Sequence, residues 1–261
     1  MSRIADVFAT APQPRLVAYA TAGDPDLDRS VGVMTALARG GADVIEVGVP
    51  FSDPIADGPV IQRASERALA AGTTLEAVFD LVTRVRREIA TPMVLFTYVN
   101  PVVRMGIDAF AARAADAGVD GVLLLDLPIE EAESVHRTLD THGLDQIFLV
   151  SPTTTDARLA AAAQYGRGFL YAISRLGVTG ARRAVADTAK PLVERVRKAT
   201  SLPVALGFGI ASPDHVREVT SFADAAVVGS AIVQTIADAA ASGGDVGGDV
   251  ERFTSWLKGR A

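Results

Sequence analysis

The strongest constraint on the fold is an alternation between short apolar segments and amphipathic segments that runs along the whole chain. Strand-length apolar runs recur eight times, and between them apolar residues return at helical spacing. Eight strand–helix units without a Ser/Gly-rich linker favour an α/β fold, a closed (β/α)8 TIM barrel, over an open doubly wound sheet. The predicted strands are residues 15–21, 44–47, 93–98, 121–125, 146–150, 169–174, 203–207 and 225–228.

The length and the spacing of these units predict one domain with two elaborated loops. A chain of 261 residues fits a single barrel, so we expect residues 1–261 to form one catalytic domain. An N-terminal helix over residues 4–9 is expected to cover the bottom of the barrel. The longest intervals follow strands 2 and 6, on the side where barrel enzymes build their sites. The first holds an added helix over 61–71, and the second, around 174–183, suits either a mobile lid or a plain surface loop.

Composition excludes several classes of function. Acidic residues outnumber Lys and Arg by 31 to 25, and the basic residues are scattered, so no nucleic-acid partner is expected. The sequence has neither an apolar run of membrane-spanning length nor a signal-peptide pattern, which predicts a cytoplasmic protein without a membrane partner. It contains no cysteine, and its three histidines lack zinc-like spacing, so we expect surface histidines and no metal site.

A cluster of carboxylates follows the second predicted strand. Glu46 lies inside an apolar strand, while Asp53 and Asp57 lie on the proline-containing loop behind it. A packed core does not need such an arrangement, so it indicates acid–base chemistry. The alternative is that Glu46 is a paired interior residue and that the two aspartates only shape a turn.

Two glycine pairs predict an anion site independently of any family. Gly207 and Gly209 end the seventh strand, and Gly229-Ser230 ends the eighth and opens a helix. Backbone N–H groups freed by glycine at a helix start bind phosphate without Lys or Arg. Either pair alone is ordinary turn chemistry, but loops seven and eight together are where barrels place this site.

The other end of the ligand is expected to be flat and apolar. Only 6% of the residues are aromatic, yet several aromatics and large aliphatics fall near the C-terminal ends of strands. They indicate an aromatic-sized pocket, although aromatics at sheet ends also serve plain packing. These residues are Tyr19, Phe96, Tyr98, Leu123, Leu125, Tyr171 and Phe208.

In order and spacing, seven segments resemble the tryptophan synthase α chain family. The most specific is Glu46-Val-Gly-Val-Pro-Phe-Ser-Asp-Pro-Ile-Ala-Asp-Gly-Pro59. The resemblance covers nearly the whole chain and implies retro-aldol cleavage of indole-3-glycerol phosphate to indole and glyceraldehyde 3-phosphate. The other segments are Ala18-Tyr-Ala-Thr-Ala-Gly-Asp-Pro25, Asp126-Leu-Pro128, Ser151-Pro-Thr-Thr154, Tyr171-Ala-Ile-Ser-Arg-Leu-Gly-Val-Thr-Gly180, Gly207-Phe-Gly-Ile210 and Gly229-Ser230.

The resemblance also implies a role for individual residues. Glu46 and Asp57 would be the catalytic carboxylates: Asp57, ionised on a solvated loop, at the indole N1–H, and Glu46, with a raised pKa, as the acid at C3. Thr179 would close the lid onto Asp57. The chain departs from many relatives at Leu176 and Ala211, and the second departure removes a hydroxyl near phosphate. The implied indole pocket is Tyr19, Ile61, Phe96, Leu123, Tyr171 and Phe208, and the implied phosphate site is Gly180, Phe208, Gly209, Gly229 and Ser230.

The family further implies a partner. That partner is a β chain that carries pyridoxal phosphate, in an α₂β₂ heterotetramer, and this chain would hold no cofactor of its own. The implied interface is Pro50, Asp53, Pro54 and Pro128. Two alternatives remain open: a stand-alone indole-3-glycerol phosphate lyase, which would share every site residue, and a non-catalytic activator, which the presence of both carboxylates disfavours.

Overall fold

Eight parallel strands close into one barrel in the computed structural model, which describes residues 2–173, 184–207 and 209–260. Each strand pairs with its sequence neighbours, and β8 returns to β1. The TIM barrel predicted from the alternation is therefore confirmed, with strand boundaries that differ by at most one residue. The strands are β1 (Leu16–Thr21), β2 (Val44–Gly48), β3 (Met93–Thr97), β4 (Gly121–Leu124), β5 (Asp145–Val150), β6 (Leu170–Ile173), β7 (Val204–Gly207) and β8 (Ala225–Val228).

Helices surround the barrel and include two that the sequence patterns did not predict, α5 and α12. The added helix after β2 is present as α3, and it begins at Pro59 because proline suits the first helical turn. The loop after β6 lies outside the described residues. The helices are α1 (Arg3–Thr10), α2 (Leu27–Arg39), α3 (Pro59–Ala70), α4 (Leu75–Arg86), α5 (Val99–Met105), α6 (Ile107–Ala117), α7 (Ala132–Thr141), α8 (Asp156–Tyr165), α9 (Ala184–Ala199), α10 (Pro213–Thr220), α11 (Ser230–Ala241) and α12 (Val246–Leu257), with a 3-10 turn at Ile129–Glu131.

Strand alternation separates an interior core from an outer core. On β1, for example, Val17 lies inside the barrel and Leu16 packs outward against the helices. The helix α1 closes the bottom, as predicted: Ile4 is fully buried, and the Phe8 ring lies 5.5 Å from Phe169. With the bottom filled by side chains, space for a ligand is left at the C-terminal ends of the strands.

Aspartates at the bottom of the barrel serve the fold. Asp43, Asp120 and Asp224 each precede a strand and accept the first N–H of the strand before it, at 2.7 to 2.8 Å. These bonds satisfy backbone donors that would otherwise be unpaired at the strand starts.

Two further expectations concern the surface. In the described part of the chain, no helix has both the length and the apolar character needed to cross a membrane. The histidines are half-buried, not fully solvated, and His136 Nδ1 lies buried without a partner among the described residues. For His136, packing of α7 against α8 explains this difference, since its ring lies 5.7 Å from Tyr165.

Candidate active site

Glu46 lies in the middle of β2 and points into the barrel. It pairs in register with Tyr19 of β1 and Val94 of β3, and it is 1% exposed. Its Oε1 is buried and has no hydrogen-bond partner in the described part of the chain. Because burial disfavours the charged form, the pKa of Glu46 is raised to about 8. At neutral pH this carboxyl group is therefore a proton donor inside an apolar barrel.

Asp57 occupies a different environment on the loop between β2 and α3. Tyr98 donates a hydrogen bond to its Oδ2 at 3.0 Å, and the Gln62 amide donates to its main-chain oxygen at 2.9 Å. Asp57 is half-buried and therefore less solvated than expected, and burial raises its pKa. The bond from Tyr98 acts in the opposite direction and stabilises the ionised form.

Tyr19 and Tyr171 connect the two acids electrostatically. Burial raises the pKa of both phenols, and the charges of Glu46 and Asp57 raise each pKa further. Because the interaction between charges weakens with distance, these shifts indicate that both carboxyl groups and both phenols lie near one another. The barrel thus brings together residues from β1, β2, β6 and the loop after β2.

The predicted aromatic pocket is largely assembled in this space. The Tyr19 and Phe96 rings meet edge to face at 5.2 Å, and Ile61 of α3 packs against the same pair. Leu123 is fully buried, and it and Tyr171 continue the apolar wall inside the barrel. Phe208 lies outside the described residues.

Two glycines make room for the tyrosines, a requirement that the sequence patterns did not show. A Cβ at Gly48 would lie 2.2 Å from the Tyr19 hydroxyl, and one at Gly207 would lie 2.4 Å from the Tyr171 hydroxyl. Any larger residue would displace these rings from the site. Gly207 therefore shapes the aromatic pocket as well as ending β7.

The predicted anion-binding residues follow the neighbouring strands β7 and β8. Gly209 has a φ of +70°, which favours glycine, and Gly229 is the N-cap of α11. Among the residues that the structure describes, no side chain caps this helix, and its first turn carries no acid, so its first N–H groups are available to an anion. Ser230 is exposed at this helix start. Gly180 and the lid residue Thr179 lie outside the described residues.

The proposed interface residues differ in accessibility. Asp53 and Pro128 are exposed and Pro54 is half-buried, whereas Pro50 is buried within this chain. Pro50 can therefore offer little surface to a partner. Ile55, which the sequence reasoning did not select, is 89% exposed on the same loop.

Fold and site together define the class: a TIM-barrel enzyme with two carboxyl groups in unlike environments, an aromatic-sized pocket and an anion-binding helix start. Residues 8–257 match the family model described as tryptophan synthase alpha chain. The chain belongs to this family.

Individual relatives agree with this assignment. A tryptophan synthase alpha chain from Solibacter usitatus is 50% identical over 99% of this chain and 96% of its own length. The crystal structure of tryptophan synthase subunit alpha from Legionella pneumophila has a TM-score of 0.92 at 37% identity and covers 100% of this chain and 98% of that one. A chain from the tryptophan synthase complex of Pyrococcus furiosus has a TM-score of 0.84 at 36% identity, covering 94% and 98%.

Proposed function

We propose that this protein is a lyase of tryptophan biosynthesis that cleaves indole-3-glycerol phosphate to indole and glyceraldehyde 3-phosphate. The observation that carries the proposal is the contrast between its two acids. Glu46 Oε1 is buried without a partner among the described residues and its carboxyl group holds its proton, while Asp57 accepts a hydrogen bond that favours its charged form. Two carboxyl groups in unlike environments can provide an acid and an anionic stabiliser in one site.

Each acid has a different role in the reaction. An intact indole is a poor leaving group, so C3 must first gain a proton, and Glu46 donates it. Asp57 stabilises the positive charge that then develops at N1–H. The Glu46 carboxylate next removes the proton of the side-chain hydroxyl, the bond between C3 and the side chain breaks, and its electrons restore the indole ring. The proton returns to Glu46, so the reaction needs no cofactor.

The ligand would lie across the barrel opening. Tyr19, Ile61, Phe96, Leu123 and Tyr171 would contact the indole ring, and Gly209, Gly229 and Ser230 would hold the phosphate through backbone N–H groups. Phe208 would contribute to both groups and Gly180 to the phosphate site. Thr179 would close onto Asp57. All three lie in segments that the structure does not describe.

The physiological partner would be a β chain that carries pyridoxal phosphate, in an α₂β₂ heterotetramer in the cytoplasm. Family membership supports this, as does the surface near Asp53, Pro54 and Pro128. Among the described residues, the most exposed large apolar side chains are Ile55 at 89% and Val103 at 68%, and they follow β2 and β3 at the C-terminal face. Apolar side chains concentrated on one face are typical of an interface.

The experiment measures indole release from indole-3-glycerol phosphate by the wild type, Glu46→Gln and Asp57→Asn. Losing a positioned acid or base lowers the rate by at least about 10²-fold, so both variants should fall by this factor while glycerol phosphate still binds. Cleavage by either variant at nearly the wild-type rate would contradict its assigned role. Added β chain should raise the wild-type rate; indifference to it would favour the stand-alone lyase.

A further inference from the structure

We propose that Tyr98 is a positioning residue that holds the Asp57 carboxylate ionised and aimed into the site. The inference deepens the proposed function and rests on it. Tyr98 follows the last residue of β3 and is the N-cap residue of α5. It is 3% exposed, so its phenol is fixed between the barrel and the loop that carries Asp57.

The direction of the hydrogen bond follows from the second contact of the phenol. The Tyr98 oxygen accepts the Ala56 N–H at 3.0 Å, and it lies 3.0 Å from Asp57 Oδ2. Since the Ala56 N–H occupies the acceptor side of the phenol, the single phenolic proton is left for Asp57. Asp57 therefore accepts, and an accepted hydrogen bond favours the carboxylate over the neutral acid.

Neighbouring contacts prevent the phenol from turning away. The Tyr98 ring lies 5.0 Å from the Phe51 ring, and the next residue, Val99, donates its N–H to Asp126 Oδ1 at 2.7 Å. These contacts hold the ring from the loop side and the backbone from the α5 side. The hydroxyl consequently has one orientation relative to Asp57.

Gln62 holds the same loop in a different way. Its amide donates to the main-chain oxygens of Asp57 at 2.9 Å and Pro54 at 3.3 Å. Gln62 thus fixes the backbone of the loop, whereas Tyr98 also contacts the carboxylate itself. Comparing variants of the two side chains therefore distinguishes a purely structural role from an effect on the charge of Asp57.

The charges around Asp57 make the phenol important. The titratable groups that share its space are Tyr98 after β3, Tyr19 on β1, Glu46 on β2 and Tyr171 on β6. Within the described ranges no Lys or Arg forms an ion pair with Asp57. Burial raises the pKa of Asp57 and the Tyr98 hydroxyl lowers it, so removing that hydroxyl should shift the equilibrium toward the neutral acid.

The test compares the wild type, Tyr98→Phe and the matched control Gln62→Met over a pH series of kcat/KM for indole release. Tyr98→Phe keeps the ring beside Phe51 but loses the bond to the carboxylate. Its kcat/KM should fall about tenfold or more, mainly through kcat, and the acidic limb of its pH profile should move to higher pH by about one unit. Gln62→Met should lower kcat/KM but leave the acidic limb of its pH profile at the wild-type position.

A second measurement is independent of activity. The ¹³C carboxyl titration of Asp57, assigned with Asp57→Asn, should show a higher pKa in Tyr98→Phe and an unchanged pKa in Gln62→Met. An unmoved Asp57 titration in Tyr98→Phe, or an equal shift in Gln62→Met, would overturn the proposal. A wild type that releases no indole would instead refute the proposed function, and the titration would still decide whether Tyr98 controls the charge of Asp57.

Discussion

Glu46→Gln should make the protein more stable at high pH while it removes activity. Glu46 is 1% exposed, and burial raises its pKa from 4.5 to about 8. At about 1.4 kcal/mol per pKa unit, this difference corresponds to about 5 kcal/mol between the two protonation states. Gln has nearly the same size and cannot ionise, so the variant should not show this pH dependence.

The direction in which stability changes with pH follows from proton binding. In the unfolded chain Glu46 ionises near its ordinary pKa, whereas in the folded chain it keeps its proton up to about pH 8. Between these values the folded state binds more protons, so its stabilising contribution is complete at low pH and is lost as the pH rises through the folded pKa. From about pH 5 to pH 8, the unfolding free energy of Glu46→Gln should therefore gain about 4 kcal/mol relative to the wild type.

The assay is urea unfolding of both proteins at the two pH values, together with indole release at each. A pH-independent difference in unfolding free energy between wild type and variant would show that Glu46 is not held neutral by burial. A variant that is more stable yet inactive would exclude unfolding as the reason for lost catalysis, because stability and activity would change in opposite directions.

Two further sets of variants test the anion site and the ion pair of the buried Asp24. A Cβ at Gly229 would lie 3.6 to 3.8 Å from Tyr19 and Ile61, an ordinary contact, so Gly229→Ala should fold and bind substrate nearly normally. Gly229→Asp should also fold, but its KM should rise strongly because the added charge opposes phosphate. An unchanged KM in Gly229→Asp would remove the phosphate from this helix start. Arg67 donates two hydrogen bonds of 2.8 Å to the fully buried Asp24, so Arg67→Met should lower the unfolding free energy measured in urea by about 3 kcal/mol. The double variant with Asp24→Asn should recover part of this loss. A loss below about 0.5 kcal/mol in Arg67→Met would contradict the argument.

Local sequence patterns were sufficient to predict the barrel and to locate a carboxyl group inside it. A strand buried on both faces is a continuous apolar run whatever it pairs with, so β2, β4 and β8 were located within a residue or two. Glu46 was recognisable because an acid interrupts such a run. The order of the eight units was enough to indicate closure.

The helix α12 shows where local patterns fail. It contains Gly247 and Gly248, which have low helix propensity, and no periodic pattern marked it. The helix forms through its packing on α2: Val250, Thr254 and Leu257 are buried, and a Cβ at Gly40 would lie 2.6 Å from Thr254. Packing between segments far apart in the sequence therefore stabilises a helix whose own residues have low helix propensity.

The sequence by itself determined which acids are candidates for catalysis, and the tertiary structure decided their environment. Most residues of the Asp57 loop are exposed, but Asp57 itself is half-buried because Tyr98, 41 residues further along the chain, contacts its carboxylate. The glycines Gly48 and Gly207 likewise acquire their role only when Tyr19 and Tyr171 point across the barrel at them. Burial and hydrogen bonding, which set pKa values, depend on neighbours that only the closed barrel brings together.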